Sequence, residues 1–341
     1  MIAPHLSIVV PCYNEEECLP ELHSRVAAVA KAQCGDDHEI ILINDGSTDA
    51  TWDVLEKIAQ KDPHVIAINL SRNHGHQLAL TAGLDLASGA HILILDADLQ
   101  DPPELLSNMM AEMKAKQADV VYAVRHHRAG EGAVKKATAA IFYRILAKLT
   151  DTNIPLDTGD FRLMSRRALD ALLAMPEQAR FIRGMVAWIG FKQVPITYDR
   201  AERLAGTSKY PMSKMLALAF DAITGFSTAP LRFASHFGLA LVGLSFLILG
   251  YILIGWINGT TVAGWTSLML LVVMLGAAQM FVLGMIGEYL GRLYMESKKR
   301  PVYIVADVIG PVSGQPRLGH HATATIATKE TPGDNGTRPT K

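Results

Sequence analysis

Four short apolar runs in the first hundred residues each end in a cluster of polar side chains, and this repetition limits the possible folds. The runs are LSIVV, EIILI, VIAINL and HILIL. The polar clusters that follow them are Pro11–Glu17, Asn44–Asp49, Ser71–His76 and Asp96–Asp101. Amphipathic segments separate the runs, near Leu19–Ala32, Thr51–Lys61, Gln77–Ala87 and Pro103–Lys116. Together with a fifth run, DVVYAV, this alternation predicts an α/β domain with a mainly parallel sheet.

The polar clusters are expected to share one edge of that sheet. In an open parallel sheet, ligands bind outside the carboxyl ends of the strands. Each cluster has an ordinary explanation by itself, since Asn44–Ser47 suits a tight turn and Asp49 suits a helix cap. The arrival of four such clusters at one edge indicates a ligand-binding site there.

The fourth cluster contains two carboxylates, Asp96 and Asp98, on either side of Ala97. Because side chains alternate along a strand, both carboxylates are able to project to the same side. Such a pair is typical of a Mg²⁺ or Mn²⁺ site, in which water and substrate phosphates complete the coordination. The pattern predicts a cation that binds a diphosphate, and Gln100 is either a further ligand or a solvated loop residue.

The other clusters favour a nucleotide as the ligand. The sequence has no G-x-G-x-x-G after the first run and no G-x-x-x-x-G-K-[ST] motif, which removes the main support for dinucleotide oxidoreductases and P-loop enzymes. Asp45 and Glu15 are placed to accept hydrogen bonds from a ribose or a base. His74 and His76 lack a third partner at metal-site spacing, so we do not predict that they bind a metal.

Charge and cysteine content exclude several classes of protein. The 32 Lys and Arg residues balance 33 Asp and Glu residues, so no overall basic field predicts nucleic acid as a partner. Three cysteines without metal-site spacing are expected to be reduced packing residues in a reducing compartment. The N-terminus lacks a basic segment and its apolar run stops at Pro11, which predicts a first strand rather than a signal peptide.

The longest apolar stretches lie late in the chain. Phe233–Ile257 has no Asp, Glu, Lys or Arg and is long enough to cross roughly 30 Å of hydrocarbon as a helix. A second stretch, at about 262–286, follows a short connection, so we expect a two-helix transmembrane hairpin. Basic residues at both outer ends, Arg232 before it and Lys298–Arg300 after it, predict that both ends face the cytoplasm. The alternative is a helical pair buried in a large soluble core.

The sequence therefore divides into five predicted parts. Residues 1–205 form the catalytic domain, and residues 206–231 form a loop and an amphipathic helix along the membrane. The hairpin occupies 232–290, and a cytoplasmic return segment occupies 291–310. The tail, 311–341, is rich in Gly, Pro and Thr without a periodic apolar face, so we expect it to be disordered.

Three motifs, SIVVPCYNEEE, INDGSTDAT and LDADLQDPPE, resemble the successive motifs of inverting family 2 glycosyltransferases with a GT-A fold. GDFRLMSRRAL at Gly159–Leu169, RFIRG at Arg180–Gly184 and the segment Arg203–Arg232 narrow the resemblance to polyprenyl-phosphate glycosyltransferases. That group is similar to dolichol-phosphate mannose synthases and bactoprenol glucosyltransferases. The Q-x-x-R-W motif of processive synthases is not in this sequence, which indicates one sugar per turnover.

The resemblance implies a reaction and a set of site residues. A single hexose, with UDP-glucose as the favoured donor, is transferred with inversion to undecaprenyl phosphate. Asp96 and Asp98 face the diphosphate and the metal, and Asp160 lies near the reacting carbon. Residues expected to bind the donor are Pro11, Tyr13, Glu15, Asp45, Asp96 and Ala97. Residues expected to bind the acceptor phosphate are Arg125, Arg203, Ser208 and Lys209.

Several alternatives stay open at this point. GDP-mannose or a UDP-amino sugar is also compatible as the donor, and dolichyl phosphate as the acceptor. A sugar-phosphate nucleotidyltransferase would use a similar sheet and metal, and a non-enzymatic subunit of a lipid transport complex would use the hairpin. Asp160 either orients a reactant or is a turn carboxylate, and Arg180 and Arg183 suit surface positions. The apolar helices also allow a homo-oligomer.

Overall fold

The computed structural model describes residues 4–125, 158–198, 229–258, 264–311 and 322–324. Within these ranges the strands are β1 (Leu6–Cys12), β2 (His38–Asn44), β3 (Val65–Leu70), β4 (His91–Ile94), β5 (Val120–Arg125), β6 (Thr158–Ser165), β7 (Gln193–Tyr198), β8 (Tyr303–Ile309) and β9 (Ala322–Ala324). The helices are α1 (Leu19–Cys34), α2 (Thr51–Lys61), α3 (His76–Leu86), α4 (Leu106–Lys116), α5 (Arg166–Leu173), α6 (Ile182–Trp188), α7 (Ala229–Ile257) and α8 (Trp265–Ser297).

The strands form one sheet in the order β7-β5-β6-β4-β1-β2-β3-β8-β9. Strands β4, β1, β2 and β3 are parallel neighbours, as are β5 with β7 and β8 with β9. Strand β6 runs antiparallel between β4 and β5, and β8 runs antiparallel to β3. The prediction of an α/β domain with a mainly parallel sheet is therefore confirmed.

Both faces of the central strands are covered, which explains why their sequences are almost wholly apolar. Ile8 and Val10 belong to the same core cluster as Leu22 of α1. On the other face, α3 approaches so closely that a Cβ on Gly83 would lie 2.5 Å from side-chain atoms of Val9 and Ile43. Alternate residues of each strand thus serve two cores, one on each side of the sheet.

The fourth predicted amphipathic segment, near Pro103–Lys116, begins with a 3-10 turn and continues as α4. A 3-10 turn at Pro103–Leu105 precedes α4, and no side chain caps that turn. Asp101, two residues before this turn, accepts a hydrogen bond from the hydroxyl of Tyr198 at the end of β7. Both residues are buried, so this bond ties the loop after β4 to the outer strand β7.

The chain divides into two compact units, which we describe separately. The second contains α7 and α8, which expose many large apolar side chains. Among the described residues, one helical stretch is long and apolar enough to cross a membrane, Leu271–Ser297 of α8. The apolar stretch of α7, Phe233–Ile248, is shorter. A two-span hairpin therefore remains a prediction.

The first unit contains the sheet and includes the chain that follows α8. The sequence predicts a return segment at 291–310, yet Tyr303–Ile309 forms strand β8 beside β3. Ala322–Ala324 pairs with β8 inside the tail that was expected to be disordered. β8 pairs with a strand more than two hundred residues earlier in the chain, and local sequence patterns do not predict such a partner.

Candidate functional site

The segment after β4 brings two carboxylates to the carboxyl edge of the sheet. Regular pairing of β4 stops at Ile94, and the antiparallel register Ile94↔Arg162, continued by two residues, sets Asp96 opposite Asp160 of β6. Leu99 then adopts a left-handed conformation with φ 57°, which is uncommon for a residue other than glycine. The backbone N–H of Gln100 donates to Asp98 Oδ1 over 3.2 Å, so the turn is closed on one of its own carboxylates.

Asp96 has an incompletely satisfied carboxylate. Its side chain is 27% exposed, but the Oδ1 atom is buried and has no hydrogen-bond partner among the described residues. Burial is the largest cause that raises the pKa of Asp96 to about 6; His76 acts against the rise, and the carboxylates of Asp160, Asp101 and Asp98 add to it. His76 Nε2 lies 3.6 Å from this atom, too far for a hydrogen bond, so Asp96 is able to accept a further positive partner.

Asp160, on β6, is the centre of a buried charge cluster. Its Oδ2 accepts a hydrogen bond from Gln77 Nε2 at 2.9 Å and lies 3.3 Å from His76 Nε2. Its Oδ1 lies 3.4 Å from Arg162 Nη2 and 3.7 Å from Arg183 Nη2. Burial alone would raise the pKa of Asp160, but the imidazole and the two guanidinium groups hold that pKa well below its usual range. Asp160 is therefore an anion with fixed partners.

His76 joins the two carboxylates. It is the first residue of α3, and its Nε2 lies 3.3 Å from Asp160 Oδ2 and 3.6 Å from Asp96 Oδ1. Burial alone would lower the pKa of His76, but the hydrogen bond with Asp160 and the charge of Asp96 raise it to about 8. The imidazole thus acts here as a cationic bridge between two acidic side chains.

Asp45, at the end of β2, holds the loop before α3. Its Oδ1 accepts from the backbone N–H of His74 at 2.7 Å, and its Oδ2 accepts from that of Gly75 at 2.9 Å. Burial raises the pKa of Asp45, although these two hydrogen bonds act against that rise. Gly46, at φ 61°, permits this approach because a Cβ there would lie 2.4 Å from the backbone carbon of Arg72. Asp45 therefore fixes the position of the loop that leads into His76.

The first two loops of the edge are bound to each other. The backbone N–H of Asn14, at φ 55°, donates to Ser47 Oγ at 3.0 Å, and its side chain accepts from the N–H of Thr48 at 2.9 Å. Tyr13 is 46% exposed beside this contact. The N–H of Glu15 donates to the side chain of the first residue of α2 at 2.9 Å. Tyr13 and Glu15 therefore belong to one paired surface at the edge.

The remaining predicted site residues fall into two groups. Pro11 lies within β1 and Ala97 lies in the turn after β4, and both are buried, so a ligand contact there would involve the backbone. Arg125 is the last residue of β5, paired with Tyr198 of β7, and its side chain is not described. The other three, expected to bind the acceptor phosphate, lie outside the described residues: Arg203, Ser208 and Lys209.

Sequence reasoning missed the cationic half of this cluster. His76 is 44% exposed and still reaches both carboxylates, and Arg183 reaches the cluster although its position suggested a surface charge. Arg180 is also buried, and its Nη1 donates to the carbonyl of Leu172 at 3.3 Å. One signal was present in the sequence: Asp160 and Arg162 lie two apart in an otherwise apolar strand, so both charges share one face.

The carboxyl edge of the sheet fits a divalent cation whose coordination is completed by the substrate. No group of three or more His, Cys, Asp or Glu residues in the described part of the chain forms a complete metal cage. A Mg²⁺ or Mn²⁺ ion needs only one or two carboxylates when phosphates and water supply the other ligands. The buried Oδ1 of Asp96, with Asp98 two residues away, meets that requirement.

Comparisons with known proteins agree with this architecture. The profile of glycosyl transferase family 2 matches residues 7–173. The uncharacterized glycosyltransferase YkcC of Bacillus subtilis (strain 168) is 47% identical over 305 residues, which cover 89% of this chain and 94% of that protein. A prophage bactoprenol glucosyl transferase homolog of Escherichia coli (strain K12) is 40% identical over 304 residues, which cover 89% of this chain and 99% of that protein. The bactoprenol glucosyl transferase of Shigella phage SfV is 40% identical over 301 residues, with 88% and 97% covered.

Among solved structures, S. aureus TarS 1-349 in complex with UDP-GlcNAc is 18% identical with a TM-score of 0.45, covering 64% of this chain and 65% of that one. Glucosyl-3-phosphoglycerate synthase from Mycobacterium tuberculosis, in complex with Mn²⁺, UDP-glucose and phosphoglyceric acid, is 20% identical with a TM-score of 0.44, covering 65% and 78%. The close relatives match almost their whole length. The chain therefore belongs to glycosyl transferase family 2 and is a glycosyltransferase.

Proposed function

We propose that the protein transfers one hexose from a nucleotide-diphosphate sugar, with UDP-glucose as the favoured donor, to undecaprenyl phosphate in the membrane. One observation carries this proposal: relatives named bactoprenol glucosyl transferase match across 97–99% of their own length. An alignment of 304 residues in a chain of 341 has to include both α7 and α8. The likeness therefore covers the apolar helices as well as the sheet, which favours an acceptor that lies in a membrane.

The donor site in this proposal is the carboxyl edge of the sheet. Tyr13, Glu15 and Asp45 bind the nucleoside, together with the backbone near Pro11 and Ala97. Asp96 and Asp98 hold the diphosphate through Mg²⁺ or Mn²⁺, with Gln100 as a further ligand. When bound, the cation stabilises the negative charge that develops on the leaving nucleoside diphosphate. The buried Oδ1 of Asp96, which accepts no hydrogen bond from the described residues, supports this assignment.

The acceptor does not need a strong base in this reaction. A phosphate monoester has a second pKa near 6 and is largely a dianion at neutral pH. Its oxygen attacks the anomeric carbon from the face opposite the diphosphate, so the bond to the diphosphate breaks with inversion. Asp160 is held by Gln77 and His76 with a lowered pKa, which makes it a poor base. We infer that Asp160 orients a reactant and does not remove a proton.

The acceptor phosphate is proposed to bind four side chains in this mechanism: Arg125, Arg203, Ser208 and Lys209. Residues 206–231 would supply a loop and an amphipathic helix at headgroup depth, where the lipid phosphate lies. The two-span hairpin, 232–290, would anchor the enzyme with its catalytic domain and C-terminus in the cytoplasm. The exposed apolar surface of α8 supports the anchor.

The alternatives differ in their support. GDP-mannose and UDP-amino sugars remain candidate donors, because hydroxyl recognition depends on geometry that no motif reports. A nucleotidyltransferase or a transport subunit finds no support in the family match, which covers the sheet and its acidic edge. Both of these classes predict no label in lipid from a nucleotide sugar, so one assay separates them from the proposal.

The test is transfer by the purified full chain in detergent. Undecaprenyl phosphate and Mg²⁺ or Mn²⁺ are incubated in turn with labelled UDP-glucose, GDP-mannose and UDP-N-acetylhexosamine, and label is counted in the organic phase. We expect label from one donor, lost with EDTA and lost in Asp98→Asn. Nucleotide binding without lipid labelling by any donor would overturn the acceptor assignment.

A further inference from the structure

The strand that follows the apolar helices is built into the donor side of the sheet. β8 begins at Tyr303, six residues after α8 ends at Ser297, and pairs antiparallel with β3. Tyr303 is fully buried, and its hydroxyl donates to Asp85 Oδ2 of α3 at 2.6 Å. This burial seats β8 against the helix whose first residue is His76.

A row of polar side chains crosses the sheet from β8 to the donor loops. Asp307, Asn69 and Asn44 are direct neighbours in the pairing of β8, β3 and β2. Asn69 Nδ2 donates to Asp307 Oδ2 at 3.1 Å, and Asn44 Nδ2 donates to Asn69 Oδ1 at 2.8 Å. Each amide therefore has its orientation fixed by the next residue in the row.

The row ends in the two loops to which Tyr13 and Glu15 belong. Asn44 Oδ1 accepts from the backbone N–H of Ser47 at 3.1 Å, which shapes the turn after β2. Ser47 Oγ in turn accepts from the N–H of Asn14 at 3.0 Å. A continuous path of hydrogen bonds thus connects Asp307 to the first loop.

β8 also contacts the third loop of the edge directly. The N–H of Ser71 donates to the carbonyl of Ile304 at 2.9 Å. Ser71 belongs to the same loop as His74, whose N–H binds Asp45. The pairing shifts register between Asn69 and Leu70, and such bulges re-aim side chains next to binding sites.

We propose that β8 is a structural part of the donor site and that Asp307 is a positioning residue for nucleotide binding. The inference rests on the proposed function, since it requires a nucleotide-sugar donor at this edge. Asp307 does not touch the donor in this proposal; it holds Asn69, which holds Asn44 and the loops beyond. The chain that leaves the apolar helices therefore completes the site where the sugar nucleotide binds.

Asp307→Ala tests the proposal. Because Asp307 is exposed, the variant is expected to fold. The substitution removes the acceptor of Asn69 Nδ2. The free energy of a hydrogen bond to a charged group corresponds to about a five- to tenfold change in affinity for the nucleotide. We expect the dissociation constant of UDP with Mg²⁺, measured by calorimetry on the full chain in detergent, to rise by that factor. The donor KM should rise in parallel, with kcat and the acceptor KM within about twofold.

Two further variants separate positioning from loss of stability. Asp307→Asn retains an oxygen acceptor for Asn69 Nδ2, so we expect UDP affinity within about twofold of the parent protein. Asp36→Ala removes an exposed aspartate just before β2, at the opposite edge of the sheet, and should leave UDP affinity unchanged. General destabilisation would lower the active fraction and leave the donor KM of the folded enzyme as it was.

The outcomes distinguish this inference from the proposed function. Unchanged UDP affinity in Asp307→Ala, or equal weakening in Asp307→Asn and Asp307→Ala, would overturn the positioning role while leaving the transferase assignment intact. Parent protein that binds UDP without labelling lipid contradicts the acceptor assignment, and the UDP titration still decides the role of Asp307. Parent protein that binds no UDP with Mg²⁺ or Mn²⁺ overturns both.

Discussion

Two carboxylate groups at opposite edges of the same sheet differ in how they are satisfied. Glu39, near the start of β2, accepts hydrogen bonds at Oε1 from Ser7 Oγ and from the N–H of Ser88, both at 2.6 Å. Its Oε2 accepts from Ser88 Oγ at 3.0 Å. Asp96, just after β4, has a buried Oδ1 with no hydrogen-bond partner among the residues that the structure describes.

The difference indicates which edge is built for a ligand. A buried polar atom left without a partner costs about 1–3 kcal/mol, so proteins seldom retain one without a function. At the amino edge, where the parallel strands begin, side-chain and backbone groups of the chain donate to both oxygens of Glu39. The carboxyl edge leaves Asp96 incomplete and also contains Asn14 and Leu99 in left-handed conformations, the kind of strain found at functional sites. A hydrogen-bond or metal partner for Asp96 Oδ1 is therefore expected to arrive with the donor.

The largest predicted effect comes from removing the charge of Asp96. Asp96→Asn should lower transfer to lipid by about 10²–10⁴-fold. The cation would be held less well, so the negative charge that develops on the leaving group would lose its stabilisation. The same substitution removes a buried negative charge beside other acids, so the thermal midpoint of the metal-free protein should rise. Label in lipid and thermal unfolding without metal measure the two effects. Retention of more than a tenth of the activity would contradict the role given to Asp96.

His76→Ala should have the next largest effect. Asp160 would lose its imidazole partner and shift, and the reactant that it orients would be misplaced; a displacement of about 1 Å is enough to lower rates strongly. We expect kcat to fall by about 10–100-fold while UDP affinity stays within about threefold. His64→Ala is the matched control, because His64 binds Asp62 at 3.1 Å before β3 at the amino edge. Equal losses in the two variants would remove the distinction between the edges.

Local sequence patterns predicted the carboxyl edge well. The strands β1 to β5 follow apolar runs, and α2 has the predicted bounds, Thr51–Lys61. Parallel pairing of β4, β1, β2 and β3 brings the polar residues that follow these strands to one edge of the sheet. Asp45 and Asp96 were therefore predictable as edge residues. In these elements the periodicity of the side chains and the topology agree, which is why local reasoning succeeded.

Long-range pairing is what the sequence analysis did not predict. β6 enters between β4 and β5 from a separate part of the chain, and that insertion alone brings Arg162 and Asp160 to Asp96. Asn69 and Asp307 are 238 residues apart in sequence and adjacent in the sheet. No periodicity encodes such a partner, so the cationic half of the cluster and strand β8 emerged only in the structure.

Glu39→Ala tests the amino edge of the sheet, where the chain supplies the hydrogen-bond donors of the carboxylate. The N–H of Ser88 and the hydroxyl of Ser7 would lose their acceptor, which is expected to lower the free energy of unfolding by about 2 kcal/mol. Thermal unfolding of the full chain should show a midpoint about 4–8 °C lower. Because Glu39 lies away from the carboxyl edge, kcat/KM of the folded enzyme should stay within about twofold. A tenfold loss of kcat/KM in protein that is still folded would mean that the two edges are coupled.

The smallest effect concerns another buried carboxylate, Asp85 of α3, which has the hydroxyl of Tyr303 as a donor. Burial raises its pKa to about 6. Folded protein then holds this proton more tightly than unfolded chain, so stability falls as pH rises from about 4 to about 6, and the loss persists above pH 6.

Asp85→Asn keeps an oxygen acceptor and removes the charge, so it should stabilise the protein by about 1–2 kcal/mol at pH 7.5, with a smaller difference at pH 4.5. Thermal midpoints of both proteins at the two pH values measure this. A variant less stable than the parent at pH 7.5 would mean that the charge of Arg180, which acts on Asp85, outweighs its burial. Asp85 would then resemble Glu39 in being satisfied by the chain, and Asp96 would be the exception.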